Sequence, residues 1–280
     1  MRLRRPAVAG LFYPSSPEAL KKKIEDSFLH PIGPGRLPPK EADENLIATV
    51  NPHAGYDYSG PVAAHSFLEI SARQSMEIIT IIGPNHYGFG SGVAAPLSDE
   101  WETPLGTLKV DVNLARKLMI SSRLVDMDDA AHWREHSIEV QLPFLQYSLE
   151  MKPVILPISM AMQDMNTAVE VGDVLANLLK GRRALLIASS DFSHYEPYET
   201  AKEKDMKAIE AILTMDVSEL YRVVEKYDIS MCGFGPVAVV LVAAKRLGAK
   251  EARLLKYATS GDVTGDYSSV VGYGSIAFYR

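Results

Sequence analysis

Residues 77–88 read Glu77-Ile78-Ile79-Thr80-Ile81-Ile82-Gly83-Pro84-Asn85-His86-Tyr87-Gly88. The β-branched run suits a strand, and the Gly83-Pro84 pair stops it. The run is apolar throughout rather than alternating. It is therefore expected to be buried on both faces, as in a parallel sheet covered by helices. A histidine follows soon after the stop. The same arrangement recurs elsewhere in the chain. Leu46 to Val50 ends at Asn51-Pro52 and leads into His53-Ala54-Gly55-Tyr56. Ala184 to Ala188 leads into Ser189-Ser190-Asp191-Phe192-Ser193-His194. Val154 to Ile158 is a fourth apolar run of this kind.

Helical patterns lie between these runs. They are predicted at Pro17 to Leu29 (with Ser16 as cap), Pro61 to Ile70, Val112 to Ser121, Ser137 to Glu150, Met165 to Leu179, Thr200 to Leu213, Val217 to Lys226 and Pro236 to Leu247. Pro31 to Pro39, with four prolines and two glycines, is a loop. The chain closes on two strands, Ala252 to Tyr257 and Val270 to Tyr279, whose pairing sense stays open. Strand–helix alternation predicts an α/β fold: a single domain over residues 1–280, with a central largely parallel or mixed sheet flanked by helices.

Composition bounds the function. The 280 residues are 47% hydrophobic and 23% charged, which is ordinary for a soluble globular protein. A net charge of −6 and the absence of a Lys/Arg stripe argue against nucleic-acid binding. Lys21 to Lys23 and Arg2 to Arg5 read as a solvated helix face and a mobile terminus. No apolar run reaches the ~18 residues of a membrane span, and the basic start is followed by nothing long enough for a signal peptide. One cysteine allows no intramolecular disulfide and fits a reducing cytoplasm.

His53, His86 and His194 all follow strand ends. In open α/β sheets, ligands bind outside the carboxyl ends of the strands, so parallel strands would bring these loops together. His30 and His65 lack this placement and read as structural. Cys232, in Met231-Cys232-Gly233-Phe234-Gly235-Pro236, precedes a helix whose N–H groups and dipole favour a thiolate. An inert buried cysteine is the competing reading. His132-Trp133-Arg134-Glu135-His136 matches H-x-x-E-H, a zinc-hydrolase pattern if both histidines share a helix face. No G-x-S-x-G elbow surrounds Ser189 or Ser190, and no phosphate-binding glycine motif opens a helix. Tyr56, Tyr58, Tyr87, Phe192 and Tyr195, with Asn85, flank these loops as candidate pocket walls for a flat ligand.

Taken in order, AGLFYP, NPHAGYDYSGPVAAHSF, GPNHYG, EHSIEVQLPFLQ, SSDFSHY and CGFGPVAV resemble the Memo family over nearly the whole chain. That family's fold is similar to the class III extradiol dioxygenases, non-haem iron enzymes that open catechol rings. The resemblance implies metal ligation by His53 and His86, with Cys232 at the position where the dioxygenases carry a carboxylate. It also implies an acid/base role for His194 with Asp191 beside it, and a place for His136 in the cavity. A thiolate there favours Fe, Cu or Zn and is itself oxidisable. Memo proteins have been described both as iron- or copper-binding redox proteins and as phosphotyrosine-peptide binders, the latter in animal signalling.

Three functions follow as expectations. The first is a metal-dependent redox protein of oxidoreductase type, using Fe(II) or Cu, with Zn as an alternative. The second is a non-catalytic module whose pocket takes a peptide or protein; its sign would be Arg or Lys in the pocket wall. The third is a zinc hydrolase at His132 and His136. The ligand, small molecule or peptide, stays open, as does homo-oligomerisation.

Overall fold

The apolar runs become the middle of a sheet. The computed structural model describes residues 2–39, 41–73 and 75–280. The first half of the chain forms β1 (Leu3–Arg4), α1 (Pro17–Leu29), β2 (Leu46–Asn51), α2 (Gly60–Ser71), β3 (Ile78–Pro84), β4 (Val93–Ala95), β5 (Glu100–Thr103), β6 (Gly106–Lys109), α3 (Val112–Ser121) and β7 (Asp126–Met127). A 3-10 turn at Ala130–His132 then leads to α4 (Gln141–Ser148), β8 (Ile155–Met160), α5 (Met165–Leu179), β9 (Ala184–Ser189) and β10 (His194–Glu196). The chain ends with α6 (Tyr198–Leu213), α7 (Val217–Lys226), α8 (Phe234–Arg246), β11 (Glu251–Thr259), α9 (Gly261–Thr264) and β12 (Val270–Tyr279).

Eight strands run in the order β10-β12-β2-β9-β3-β8-β4-β7, and β11 joins on β12. The four central strands, β2, β9, β3 and β8, are mutually parallel. The closing strands are antiparallel: β12 pairs with β2 and β11 with β12. The sheet is therefore mixed, as expected. A smaller sheet, β1-β5-β6, brings the Arg2 to Arg5 segment into pairing with β5, so this stretch is ordered rather than a mobile terminus. No helix among the described residues is long and apolar enough to cross a membrane.

The unbroken apolar strands serve two cores at once. Along β3, Ile78 and Ile82 pack with α3, α5 and α8, whereas Ile79 and Ile81 pack with α1, α2 and α4. On β9, Leu186 and Ala188 face the first core and Leu185 and Ile187 the second. Alternate residues of a strand point to opposite faces, so helices on both sides demand apolar residues at every position.

One helix begins later than its pattern predicts. Ser137 to Val140 is not part of α4, which starts at Gln141. The carboxylate of Glu135 takes the N–H groups of His136 (3.0 Å) and Ser137 (2.9 Å). A side chain that captures neighbouring N–H groups offers the backbone an alternative to the helix.

Gly83, at the end of β3, lies against Ser137, where an added Cβ would collide with the Ser137 hydroxyl and crowd Ile138. That hydroxyl donates to the Pro84 carbonyl at 3.0 Å. Gly83→Ala is expected to cost about 1–3 kcal/mol as overpacking. Urea unfolding at constant m-value checks this, and an unchanged midpoint would contradict it.

Candidate metal centre

Register brings the strand ends level. Asn51 of β2 faces Ser189 of β9, and Ile82 of β3 faces Ala188 of β9. His53, Asp191 and His86 each sit two residues past the end of β2, β9 and β3 respectively. His136 enters from the segment that precedes α4. The ring centroids of His53, His86 and His136 are 5.1, 5.5 and 4.7 Å apart pairwise. One ligand atom from each lies within 4.8 Å of the other two.

Hydrogen bonds fix which nitrogen faces the centre. Ser189 Oγ lies 2.6 Å from the Ser137 carbonyl, which can only accept, so the hydroxyl donates there. Gln141 Nε2, a donor only, supplies a second bond to the same oxygen at 2.9 Å. His53 Nδ1, 2.9 Å from Ser189 Oγ, must therefore be the protonated nitrogen, and its Nε2 carries a free lone pair. On His86, Nδ1 donates to Glu135 Oε1 at 2.9 Å, again leaving Nε2 bare. His136 Nδ1 is 3.5 Å from Glu135 Oε1 and has no hydrogen bond although it is buried. His194 stands further out; its Nδ1 donates to the Ser230 carbonyl at 2.8 Å.

Burial keeps the His53 and His136 rings neutral. Burial, then the neighbouring His136, His86 and His194, holds His53 well below the usual histidine range. Burial lowers His136 to about 4, against the pull of Glu135. Glu135 responds in the other direction. Burial would raise it, but the hydrogen bond from His86, the nearby His86 and His136 rings and the Ser137 N–H bring it to about 2, so it is an anion. Burial raises Asp191 to about 6 although its Oδ1 accepts the His53 N–H at 2.8 Å.

Cys232 adjoins His53: its Sγ is 3.2 Å from His53 Nε2 and accepts the Asp191 N–H at 3.3 Å. It is not among the three groups whose ligand atoms lie mutually within 4.8 Å; His136 is the third member. Burial, and then the Asp191 carboxylate, pushes the thiol up rather than down. The helix-terminus argument for a thiolate is thus outweighed by desolvation and a like charge.

A cavity of about 670 Å³ opens over the histidines. Its walls include Phe12, Tyr58, Tyr87, Tyr195 and Tyr273, and no Lys or Arg among the described residues lines it. Of the aromatic residues that flank the loops, Tyr58, Tyr87 and Tyr195 line this cavity, whereas Tyr56 and Phe192 do not. Tyr56 is only 3% exposed; its hydroxyl donates to the Val140 carbonyl and its ring packs on Phe144. Phe192 is fully buried beneath the sheet edge. Asn85 shapes its own loop by accepting the N–H groups of Tyr87 and Gly88. Phe12, whose ring centroid lies 4.5 Å from that of His136, carries no chemical signature in sequence beyond its place in the AGLFYP stretch.

The H-x-x-E-H reading also fails on geometry. His132 ends the 3-10 turn and packs edge-on against Trp101, so it shares no helix face with His136. Its Glu135 is committed to His86 and to main-chain N–H groups. Ser189 is no nucleophile either, since its proton is held by the Ser137 carbonyl.

A second buried carboxylate anchors the N-terminal wall. Glu139 pairs with Arg4 at 2.7 Å and accepts the N–H groups of Ala7 and Val8 and the Tyr13 hydroxyl. Arg4 also donates to the carbonyls of His132 and Glu135. This clamp holds the segment that carries Phe12.

Comparison with known proteins agrees with this architecture. The family model described as Memo-like protein matches residues 4–277. A MEMO1 family protein of Methanopyrus kandleri is 49% identical over 280 residues, covering 99% of both chains. One from Methanocaldococcus jannaschii is 51% identical over 283 residues, covering 98% of each. In three dimensions the chain is similar to the crystal structure of an uncharacterized protein from Escherichia coli K12. That match has a TM-score of 0.56 at 14% identity, over 83% of this chain and 99% of the other.

Arg4→Met should expose the value of the clamp. It leaves Glu139 as a buried anion held only by N–H and O–H donors. Loss of one partner of such a pair costs about 3–5 kcal/mol. Chemical denaturation measures this, and a change below about 1 kcal/mol, the scale of an exposed pair, would show that the remaining donors suffice.

Proposed function

The chain belongs to the Memo family, and from that premise we propose that it is a metal-dependent redox protein. Its metal is held by His53 and His86, with His136 and Cys232 as the further donors. The observation that supports this is the group of three imidazoles whose ligand atoms lie within 4.8 Å of one another. His53 and His86 have Nδ1 committed to Ser189 and Glu135, so their Nε2 atoms are the donors, that of His53 beside the Cys232 sulfur, and His136 has a buried, unpartnered Nδ1. An unpartnered buried nitrogen is costly without a ligand, so the donor set fits a cation. Imidazoles beside a thiol suit Fe, Cu or Zn rather than Mg or Ca. When bound, an Fe or Cu ion supplies the electron-transfer chemistry that no side chain here offers.

The chain's own groups do the rest. Burial of His53 behind Ser189 and Asp191 keeps water from its ring. His194 holds its Nδ1 proton on Ser230, so Nε2 is free to take a proton from a ligand in the cavity. Asp191, with a raised pKa, stands 4.0 Å from His53 Nε2. The aromatic walls orient a flat, uncharged ligand. The lone cysteine suits a cytoplasmic setting.

For the second reading, a non-catalytic module that binds a peptide or protein in the same pocket, the described residues of the wall offer no guanidinium or ammonium group to pair a phosphate. The redox reading is therefore the one we carry forward.

Metal uptake tests it. Purified chain, stripped by chelator and reloaded anaerobically with Fe(II), Cu(I) or Zn(II), is expected to bind about one equivalent, the content of a single closed site. The His53→Ala, His86→Ala double variant should bind none, and Cys232→Ser should lose at least about tenfold in Cu(I) affinity, the share of a soft ligand. Unchanged metal content in the double variant would refute the proposal.

A further inference from the structure

We infer that Glu135 is the positioning residue of this centre, a single buried carboxylate that sets His86 and His136 together. The inference rests on the metal reading above and assigns the regulation of ligand geometry to a residue outside the donor set. Four N–H groups converge on Glu135. His86 N reaches Oε2 at 2.7 Å. His86 Nδ1, His136 N and Ser137 N reach Oε1 at 2.9, 3.0 and 2.9 Å. Both the ring and the backbone of His86 thus answer to the same group, as does the backbone of His136.

Among the described residues no guanidinium contacts this carboxylate: Arg4 takes the Glu135 main-chain carbonyl at 2.7 Å and the side chain of Glu139. Glu135 is 2% exposed, so its negative charge is met by N–H dipoles and lies directly behind the His86 ring. Such a carboxylate fixes the imidazole tautomer, makes the ring a stronger donor and favours a cation in front of it. His53 has different support, because Ser189, a neutral hydroxyl, holds its Nδ1. At their ring Nδ1 atoms the two ligands are therefore unequal: a carboxylate holds His86 and a hydroxyl holds His53, whose carboxylate neighbour, Asp191, takes the backbone N–H instead.

Glu135→Gln keeps the size of the side chain and removes the charge. Its NH2 group must replace one oxygen, and either orientation sets it against an N–H donor. At least one of the four bonds is lost.

The test uses the full chain with Co(II) as the probe, because its visible bands report ligand set and geometry. Glu135→Gln is expected to bind Co(II) about 10–100-fold more weakly, with displaced bands. Ser189→Ala should lose less. In metal-free protein, imidazole 15N correlation spectra should show His86 as the Nδ1–H tautomer in wild type and shifted toward Nε2–H in Glu135→Gln. Melting of the metal-free variants separates positioning from folding. If Glu135→Gln does not fold, Glu135→Asp replaces it: the charge stays, the carboxylate retreats by one methylene, and displaced bands are again expected. A folded variant with wild-type affinity, bands and tautomer overturns the inference. A wild-type chain that takes up no Co(II), Fe(II), Cu(I) or Zn(II) overturns the metal reading instead, and the tautomer measurement still decides the role of Glu135.

Discussion

The parallel register of β2, β9 and β3 is the constraint on which the centre depends. Adjacent strands lie about 4.8 Å apart, so residues just past the ends of three neighbours come within reach of one small ligand. That holds only while Asn51 stays level with Ser189 and Ile82 with Ala188. The two hydrophobic cores enforce this. A slip of one residue in β3 would replace Ile79 and Ile81 in one core by Thr80 and either Ile78 or Ile82, and every neighbouring contact would change face. The strand that carries no metal donor, β9, is the one in the middle. It supplies Ser189, which orients His53, and Asp191, which holds its backbone. Register and ligand orientation are therefore specified by the same strand.

Beneath the cavity floor the polar groups must satisfy one another, because Asn51, Ser137, Gln141 and Ser189 are buried. A chain of hydrogen bonds runs from Asn51 through Gln141 to Ser189 and the Ser137 carbonyl. Each member has its direction forced by a neighbour that can only donate or only accept, and the outcome is a single tautomer for His53. Buried networks of this kind specify one arrangement because any reversal leaves a buried group unpaired. The carboxylates follow the same rule. Glu135 and Glu139 lie four residues apart with both side chains buried, one gathering the histidine loops and the other the N-terminal segment.

The parts legible in sequence were those governed by pattern. Uniform apolar runs gave the central strands, and histidines after those runs gave His53 and His86. Met165–Leu179 and Val112–Ser121 matched their helices because polar faces and caps bound them. What escaped was governed by direction. Tyr56 and Tyr58 are two residues apart in one loop, yet the first is locked in the core by Val140 and the second lines the cavity. H-x-x-E-H implied a helix, but Glu135 removes the N–H groups a helix would use, and His132 turns away toward Trp101. Periodicity reports which residues alternate; it does not report which N–H group a carboxylate will capture.

The arrangement of charge explains why a cation, rather than an anionic ligand, is the natural occupant of the floor. His53 and His136 are neutral because burial and the neighbouring histidines oppose their protonation, and His53 and His86 have their Nδ1 atoms turned away to Ser189 and Glu135. Behind them stands the ionised Glu135, and beside them Asp191. No Lys or Arg faces the cavity among the described residues. An anion entering alone would meet carboxylates and lone pairs. A divalent ion would satisfy both and would make the thiol of Cys232 easier to deprotonate, since a cation stabilises the thiolate that would bind it. Burial and the Asp191 carboxylate push that thiol up, and it stands 3.2 Å from His53 Nε2, beside the same lone pair that the proposed metal would claim.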